Sequence, residues 1–580
     1  MNISELLISS FKEKINTNLV FVYPGGTIAP LANACSKFGI NVEVFKTEQG
    51  AGFAAIGASI ASLKPSLCFV TSGPGVTNIL TCIADAYYDS IPVVFLTGQV
   101  GTSDLERNPK LRQRGFQETP TLKLCEPISK KVFTLRKNMK PKEIIDLVDL
   151  SISIANTDRK GPVIIDCPMD AQLAEVISIK ENNSTIQTEI ISEKVDCDLQ
   201  DKNIDYDYVV ALLKSSERPA FLIGGGVNQS LSKKLGDFVQ LYCPNIALTY
   251  SLRGLSYSST DHYSYCGYIG HTGNVLANKI IDESDLLIAI GTRLDIRQTG
   301  SEFENFSKNK KLILVNNDFD EVSSQRVNVD NAFIVDSYKF VKELEEAFSI
   351  RKQNISKNFW FKKFKKESIL LEDPDLNNVE GINPSFAIRH LLNEFNNIAQ
   401  GKIISTGVGS HQHWTMRNLK FNFEKDILLT SSGHGTMGYD IPAIIGAAMI
   451  ANDKIPICVC GDGSFLMNGF EIIKAIELNI NLKLILIKNN SLGIVSTFQN
   501  WKFGNRIMTS NFNSADPKAI LLGMGMNSVN ICKNKEDLMI YSNEFIFNDK
   551  ASAIIIECSS EYSVNPMVMV GDNLSNPTFF

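Results

Sequence analysis

Apolar residues in the first part of the chain occur in short runs that alternate with longer stretches of helical spacing. The runs are rich in Val, Ile, Leu and Phe, which is typical of β-strands. Regular alternation of strands and helices predicts a doubly wound parallel sheet. The predicted strands are Leu19–Tyr23, Leu67–Thr71, Val93–Thr97 and Val163–Cys167, and the clearest helices are Gln49–Ala61 and Thr77–Asp89.

The same alternation returns twice along the chain. Apolar runs at Ala220–Ile223, Leu286–Ile290 and Leu312–Val315 predict a second α/β unit, and those at Ile455–Cys460 and Leu484–Ile487 predict a third. Polar, aperiodic stretches separate the units and are typical of linkers. The fold class predicted is therefore α/β, with three doubly wound parallel-sheet domains. The predicted domains are 1–175, 206–345 and 381–580, and the predicted linkers are 176–205 and 346–380.

Composition narrows the functional class. The 580 residues are 44% hydrophobic, and 57 basic against 63 acidic residues give a net charge of −6. This charge argues against binding nucleic acid or an anionic membrane, since both need a concentrated positive surface. The 12 cysteines are scattered without CxxC spacing, which indicates free thiols in a reducing compartment. We expect a cytoplasmic enzyme that acts on small molecules.

The strongest local signal follows the apolar run IPICVC. Residues 461–464 read GDGS, and Asn489 follows the next predicted strand. Both segments therefore lie at the carboxyl edge of one parallel sheet, where open α/β folds bind ligands. The Asp462 carboxylate, the Asn489 amide oxygen and a main-chain carbonyl near Ser491 form a hard-oxygen set that suits Mg²⁺ beside a diphosphate.

The GDGSF segment with its downstream Asn pair resembles the diphosphate signature of thiamine-diphosphate enzymes. Further segments are similar to the catalytic (large) subunit family of acetolactate synthases, and they occur in the expected order across nearly the whole chain. These segments are YPGG (23–26), TEQGAGFAAIGAS (47–59), TSGPGVTN (71–78), LTGQV (96–100), GFQETP (115–120), GPVIIDCPMD (161–170), STGVGSHQHW (405–414) and GHGTMGYDIPAIIGA (433–447).

The resemblance implies thiamine diphosphate bound between two subunits. An N-terminal pyrimidine-binding domain of one subunit faces a C-terminal diphosphate-binding domain of another, so a homodimer or homotetramer is expected. Glu48 matches the family glutamate that shares a proton with the cofactor's aminopyrimidine ring, and Met437 matches the bulky residue under the cofactor. The resemblance leaves a regulatory subunit open.

Other site residues are carried over by the same resemblance. Gln117 matches an active-site glutamine, Lys130 matches a lysine at the substrate channel, and Phe116 and Phe498 match positions at the acceptor pocket. Further thiamine-diphosphate contacts are predicted at Gly25, Gly73, Pro74, Gly75, Gly435, Gly461, Gly463 and Ser464.

The central domain resembles the family's FAD-binding domain. The glycine run 224–226 is expected to bring main-chain amides against a pyrophosphate. Two departures weaken the likeness: Asn316 replaces an acid expected to grip the ribose, and His271-Thr272 replaces a Met-His pair. The predicted FAD contacts are Gly224, Gly225, Gly226, Gly291, Arg293, Asp295, Arg297 and Asp336.

The implied activity is a carboligation of the kind used in branched-chain amino acid biosynthesis. Pyruvate loses CO₂, and its two-carbon unit is transferred to a second carbonyl, with a 2-oxo acid as first choice of acceptor. Phe498 replaces a family tryptophan, Thr47 a histidine and Gly101 a proline, so transfer to a keto-sugar nucleotide is the alternative. A catalytically silent cofactor-binding scaffold is the second alternative, disfavoured because Glu48 is kept.

Overall fold

Three six-stranded parallel sheets, each flanked by helices, follow one another along the chain. The computed structural model describes residues 1–176, 204–349 and 359–580, apart from 505, 507 and 514. The predicted fold class is confirmed. The strands expected from apolar runs are present because these runs are almost fully buried, as in a sheet covered on both faces.

The N-terminal sheet has the order β2-β1-β3-β4-β6-β5. Its strands are β1 Leu19–Val22, β2 Asn41–Val44, β3 Ser66–Val70, β4 Val93–Gln99, β5 Lys131–Thr134 and β6 Val163–Pro168. Its helices are α1 Ile3–Phe11, α2 Ala29–Lys37, α3 Glu48–Ser62, α4 Pro74–Tyr88, α5 Thr102–Leu105, α6 Thr121–Cys125, α7 Pro141–Asn156 and α8 Met169–Leu173.

The central sheet has the order β12-β11-β10-β7-β8-β9. Its strands are β7 Pro219–Ile223, β8 Ala247–Tyr250, β9 Tyr265–Tyr268, β10 Leu286–Ile290, β11 Lys311–Asn316 and β12 Asn331–Ile334. Its helices are α9 Tyr206–Ser215, α10 Gln229–Leu241, α11 Val275–Glu283, α12 Ile296–Thr299, α13 Phe303–Phe306, α14 Phe319–Ser323, α15 Ser337–Ser349 and α16 Lys362–Leu371.

The C-terminal sheet has the order β14-β13-β15-β16-β18-β17. Its strands are β13 Lys402–Thr406, β14 Ile427–Thr430, β15 Ile455–Gly461, β16 Lys483–Lys488, β17 Ser528–Cys532 and β18 Ser552–Glu557. Its helices are α17 Pro384–Asn396, α18 Ser410–Arg417, α19 Asp440–Ile450, α20 Asp462–Asn468, α21 Ile472–Glu477, α22 Gly493–Phe503, α23 Pro517–Gly523 and α24 Lys535–Phe547.

Most of the first predicted linker, residues 176–205, lies outside the described residues. Within the second, α15 continues to Ser349 and α16 forms a helix. Trp360 is 5% exposed, and its indole Nε1 donates to the Asn245 carbonyl at 3.1 Å. The described part of this stretch is therefore packed on the central domain, because its aromatic residues have a hydrophobic surface to cover.

Helices α3 and α19 join the N-terminal and C-terminal domains. A Cβ atom on Gly57 would lie 1.9 Å from the Ala443 carbonyl oxygen, and one on Gly446 would lie 2.0 Å from the Ala54 carbonyl oxygen. Both distances are far shorter than a van der Waals contact. The glycines therefore allow the two helix backbones to cross closely, with Glu48 at the start of α3 and the segment containing Met437 just before α19.

Within the described residues, the cysteines are free thiols. All of them are buried except Cys558, which is half-buried. A search of the same residues finds no helix with the length and apolar character needed to cross a bilayer.

The helix crossing gives a test of stability. We expect Gly446→Ala to lower the free energy of unfolding by about 1–3 kcal/mol or more, because the new methyl group meets main-chain atoms that cannot rotate away. Chemical denaturation measures the change. Gly236→Ala in α10 is the control, since a Cβ there meets nothing within 4 Å and should be neutral or stabilising. Equal effects of the two substitutions would contradict the close crossing.

Candidate active site

The predicted metal ligands come together at the carboxyl edge of the C-terminal sheet. Asp462 begins α20 directly after β15, and Asn489 follows the neighbouring strand β16. One Asp462 oxygen accepts from the Gly463 amide at 3.0 Å, and the other accepts from the Asn490 amide at 2.7 Å. These bonds fix the carboxylate, which is 2% exposed.

The oxygen set has the chemistry of a magnesium site. The Asn489 side-chain oxygen accepts from the Ser491 amide at 3.1 Å, which holds this turn beside Asp462. Burial raises the pKa of Asp462 to about 6, because the ionised form has lost water. A bound divalent cation would favour the ionised form again.

Unpaired polar atoms surround this set. Ser410 Oγ, His411 Nε2 and Ser491 Oγ are buried and have no hydrogen-bond partner within the described part of the chain. Leaving such groups unpaired costs about 1–3 kcal/mol each. All three residues line the same cavity as Asp462 and Asn489. The residues present therefore fit a polar, multidentate group such as the diphosphate of thiamine diphosphate with Mg²⁺.

The cavity has a volume of about 490 Å³ and also contains Met437. A Cβ atom on Gly463 would lie 3.3 Å from Met437 Cε, so the glycine keeps this side of the cavity open. Gly435 has a φ of +79°, a left-handed conformation that favours glycine. Ser464 accepts from the Gly438 amide at 2.8 Å and donates to Asp440 at 3.0 Å, which ties the loop before α19 to α20.

Glu48 lies at the edge of the N-terminal sheet. It is the first residue of α3 and is 7% exposed, and its carboxylate accepts from the Asn78 side chain at 3.1 Å. The residues described as lining the Asp462 cavity include none from the N-terminal domain. Within one chain, Glu48 and Asp462 therefore do not share this cavity.

Several predicted residues gather near Glu48. Gly25 follows β1, and Gly73–Gly75 follow β3 at the same edge. A Cβ atom on Gly25 would lie 2.3 Å from Thr71 Cβ, and one on Gly73 would lie 2.9 Å from Gln117 Cβ. The close approach therefore places Gln117 beside the start of α4, the helix that carries Asn78.

The remaining predicted residues are Lys130, Phe116 and Phe498. Lys130 immediately precedes β5, at the opposite end of the sheet, and donates to the Thr157 carbonyl at 2.8 Å. Phe116 is 86% exposed, and Phe498 is 44% exposed with its ring against Trp501 and Phe503. Their functional roles stay predictions.

Two of the three glycine amides predicted to bind a pyrophosphate are bonded within the central domain. The Gly224 amide donates to the Ile290 carbonyl, and the Gly226 amide donates to the Gly291 carbonyl, both at 2.8 Å. A Cβ atom on Gly225 would lie 2.5 Å from Arg253 Cγ. The glycines therefore serve close packing within the protein, and the amides of residues 224 and 226 are not available to a ligand.

Three other predicted FAD contacts are engaged within the protein. Arg293 pairs with Asp295 at 3.1 Å, and Asp336 accepts from the amides that begin α15. Asn316 is buried; its nitrogen donates to the Thr292 carbonyl at 3.1 Å and its oxygen accepts from the Asp318 amide at 3.0 Å. These internal bonds argue against the expected FAD contacts, and no chemical step is assigned to FAD.

Three histidines in the cavity were not identified from the sequence. His271 and His413 line it together with His411. His413 Nδ1 lies 2.8 Å from Thr272 Oγ1, and burial lowers the pKa of His271 to about 4, so that its imidazole is neutral. The segment SHQHW contained the signal for two of them, but neither histidine could be placed without the fold.

Comparison with protein-family models gives three matches in chain order. Residues 1–124 match a model described as "Thiamine pyrophosphate enzyme, N-terminal TPP binding domain". Residues 206–344 match the central-domain model of the same enzymes, and residues 407–557 match their C-terminal TPP binding domain. Each match falls on one of the three sheets, although the first ends before β5 and the third begins after β13.

Curated relatives are similar over most of the chain. A probable acetolactate synthase large subunit from Methanococcus aeolicus is 34% identical, covering 89% of this chain and 85% of that protein. An acetolactate synthase large subunit from Lactococcus lactis is 31% identical, covering 98% and 94%. The large subunit of acetolactate synthase isozyme 2 from Escherichia coli is 29% identical, covering 87% and 86%.

The engaged glycine amides predict that the purified protein shows no visible flavin absorbance, even after incubation with excess FAD. We further expect Asn316→Asp to lower the free energy of unfolding by about 1–3 kcal/mol, because a carboxylate oxygen would face the Thr292 carbonyl. Absorbance and chemical denaturation test the two statements. Stoichiometric flavin, or tighter FAD binding by Asn316→Asp, would restore the interpretation from sequence.

Proposed function

The chain belongs to the acetolactate synthase large-subunit family of thiamine pyrophosphate enzymes, and from this premise we propose its substrates and site residues. It is a thiamine-diphosphate-dependent carboligase. We propose that pyruvate is the donor, that a 2-oxo acid is the acceptor and that Mg²⁺ accompanies the cofactor. The observation that supports this best is the buried oxygen set of Asp462 and Asn489 among unpaired polar atoms.

When bound, thiamine diphosphate supplies a nucleophilic carbon that adds to a 2-oxo acid and accepts the electrons left when CO₂ departs. Asp462 and Asn489, with a main-chain carbonyl near Ser491, would hold Mg²⁺ and through it the diphosphate. Ser410 and His411 would bind diphosphate oxygens with the polar atoms that now have no partner. Met437 would orient the cofactor by filling the space beneath it.

Glu48 has the role of holding and moving a proton at its carboxyl group. Its buried position keeps water away, and the Asn78 amide leaves part of the carboxyl free for another partner. Gln117, held against Gly73, is positioned to bind a polar group of the substrate near the same edge. The acceptor carbonyl oxygen takes up a proton as the new carbon–carbon bond forms.

The separation of Glu48 from the Asp462 cavity supports a homodimer. A second copy would bring its Glu48 to the cavity of the first, so that each site contains residues of both chains. The surface after Asp462 carries Leu466, Met467 and Phe470, each about half exposed or more. Such neighbouring apolar side chains favour contact with another protein surface. The relatives are named large subunits, and a smaller partner subunit is part of the proposal.

A second candidate acceptor is a keto-sugar nucleotide. The cavity wall contributed by the central domain includes His271 and Arg297, and His413 faces them from α18. Imidazole and guanidinium groups suit hydroxyl and phosphate oxygens as well as a carboxylate. Incubation with pyruvate and a panel of acceptors, followed by mass spectrometry of the product, decides between the two.

We expect Glu48→Gln to reduce turnover by about 10²–10⁴-fold while leaving folding and cofactor binding nearly unchanged, because an amide cannot transfer the proton. Asp462→Ala should instead lose Mg²⁺-dependent cofactor binding. Pyruvate-dependent CO₂ release and calorimetric titration with thiamine diphosphate measure the two effects. Near-normal CO₂ release by Glu48→Gln would exclude the assigned role.

The shared site predicts complementation between inactive chains. In a mixed dimer of Glu48→Gln and Asp462→Ala chains, one of the two sites is wild type on both sides. Subunit exchange between the two inactive proteins should therefore restore measurable activity. Failure in dimers confirmed as mixed by mass spectrometry would count against a site shared between chains.

The acceptor position gives a third test. Phe498 lies on α22, whose Ile494 and Val495 line the cavity one turn earlier. We expect little preference for 2-oxobutyrate over pyruvate in the wild type. Phe498→Trp should increase this preference by roughly 1–3 kcal/mol, which is the discrimination expected for one methylene in a pocket. A competition assay with both 2-oxo acids measures the product ratio. An unchanged ratio in a folded, active variant would remove Phe498 from the acceptor site.

A further inference from the structure

A carboxylate from the C-terminal domain lies against the main chain that precedes Glu48. Glu471 ends the single turn Gly469–Glu471 after α20 and is 1% exposed. Its oxygens accept from the Lys46 amide at 3.2 and 3.0 Å. One of them also accepts from the Thr47 amide and the Thr47 hydroxyl, both at 3.0 Å. One buried side chain thus fixes the two residues before Glu48.

The first turn of α3 is shaped to admit this carboxylate. A Cβ atom on Gly50 would lie 1.9 Å from Glu471 Oε1, so only glycine leaves the required space. The Thr47 hydroxyl also accepts from the Gly50 amide at 2.9 Å, and so caps the helix while it donates to Glu471. A negative charge is favourable at a helix N-terminus. Gly50, Thr47 and Glu471 therefore form one contact in which each residue depends on the other two.

The neighbouring ion pairs do not replace this contact. The Lys46 ammonium pairs with Glu477 at 2.7 Å, and the Lys474 ammonium pairs with Glu43 at 2.7 Å. The Lys46–Glu477 pair is partly exposed and the Lys474–Glu43 pair is mostly buried, but both join side chains, whereas Glu471 binds the main chain beside Glu48. Of these three contacts, the one made by Glu471 is the one that holds the main chain at the start of α3.

We propose that Glu471 is a positioning residue for Glu48. This rests on the proposed function, in which Glu48 of each chain serves the cofactor held by Asp462 of the other. Glu471 follows Asp462 closely in sequence but acts on Glu48 of its own chain. A substitution there should therefore impair the site that contains the partner's Asp462. A misplacement of about 1 Å can reduce a rate by about 10²-fold.

The kinetic test compares Glu471→Gln with Glu477→Gln. We expect Glu471→Gln to lower kcat by about 10- to 100-fold with little change in the KM for pyruvate or the Kd for thiamine diphosphate. Glu477→Gln weakens the pairs with Lys46 and Lys474 but leaves the Glu471 contact in place, so it should remain near wild type. Thermal unfolding checks that both variants fold. A loss of cofactor affinity without a fall in kcat would overturn the proposal.

Substitutions at Thr47 test the same contact from its other side. Thr47→Ser keeps the hydroxyl that Glu471 accepts from and should retain near-normal kcat, whereas Thr47→Val should lower kcat in the same direction as Glu471→Gln. The double variant Thr47→Val/Glu471→Gln should lose less than the product of the two single effects, because both remove one contact. Wild-type kcat in Thr47→Val would contradict the proposal even if Glu471→Gln did not fold.

Mixed dimers distinguish the two routes by which Glu471 could act. If it acts through Glu48 of its own chain, Glu471→Gln chains should complement Asp462→Ala chains and should not complement Glu48→Gln chains. The reverse pattern would assign Glu471 to the diphosphate side and overturn the proposal. If Glu48→Gln and Asp462→Ala themselves fail to complement, the shared site fails, and the kinetic comparison alone decides the role of Glu471.

Discussion

The close crossing of α3 and α19 is the contact on which the geometry of both site halves depends. Main-chain carbonyls occupy the space that side chains at Gly57 and Gly446 would need, so the two helices cannot separate or slide without breaking a dense interface. Glu48 begins one of these helices, and the Met437 segment leads into the other. Each half of the site is therefore fixed to the same rigid pair, although the halves do not face each other within one chain.

The two halves differ in their polar chemistry. Around Asp462, the main chain supplies hydrogen bonds to the carboxylate, while nearby hydroxyl and imidazole groups have no hydrogen-bond partner among the described residues. Around Glu48, by contrast, Asn78 and Glu471 satisfy polar groups with side chains of the same chain. The surroundings of Asp462 therefore leave polar groups available to a ligand, whereas those of Glu48 are bonded within the chain.

The sequence predicted the fold class and the edge at which Asp462 and Asn489 meet, because both depend on local pattern: apolar runs form strands, and the residues after parallel strands share an edge. Contacts between domains could not be predicted in this way. Glu471 and Thr47 are separated by 424 residues, and nothing near either one indicates the other. The glycine run at 224–226 is ambiguous from sequence for a related reason. A phosphate loop and a tightly packed strand-end loop both require glycine, and the partners of the amides distinguish them.

The distance between Thr47 and Glu471 along the chain also has a consequence for biosynthesis. A ribosome that adds about 5–20 residues per second needs roughly 20–85 s to pass from one to the other. The strands β1–β6 lie wholly within the early part of the chain, so the N-terminal sheet can form while the carboxylate that secures Glu48 has not yet been made. The N-terminal domain can therefore fold early, whereas the contact that holds the residues before Glu48 forms only after Glu471 has been made.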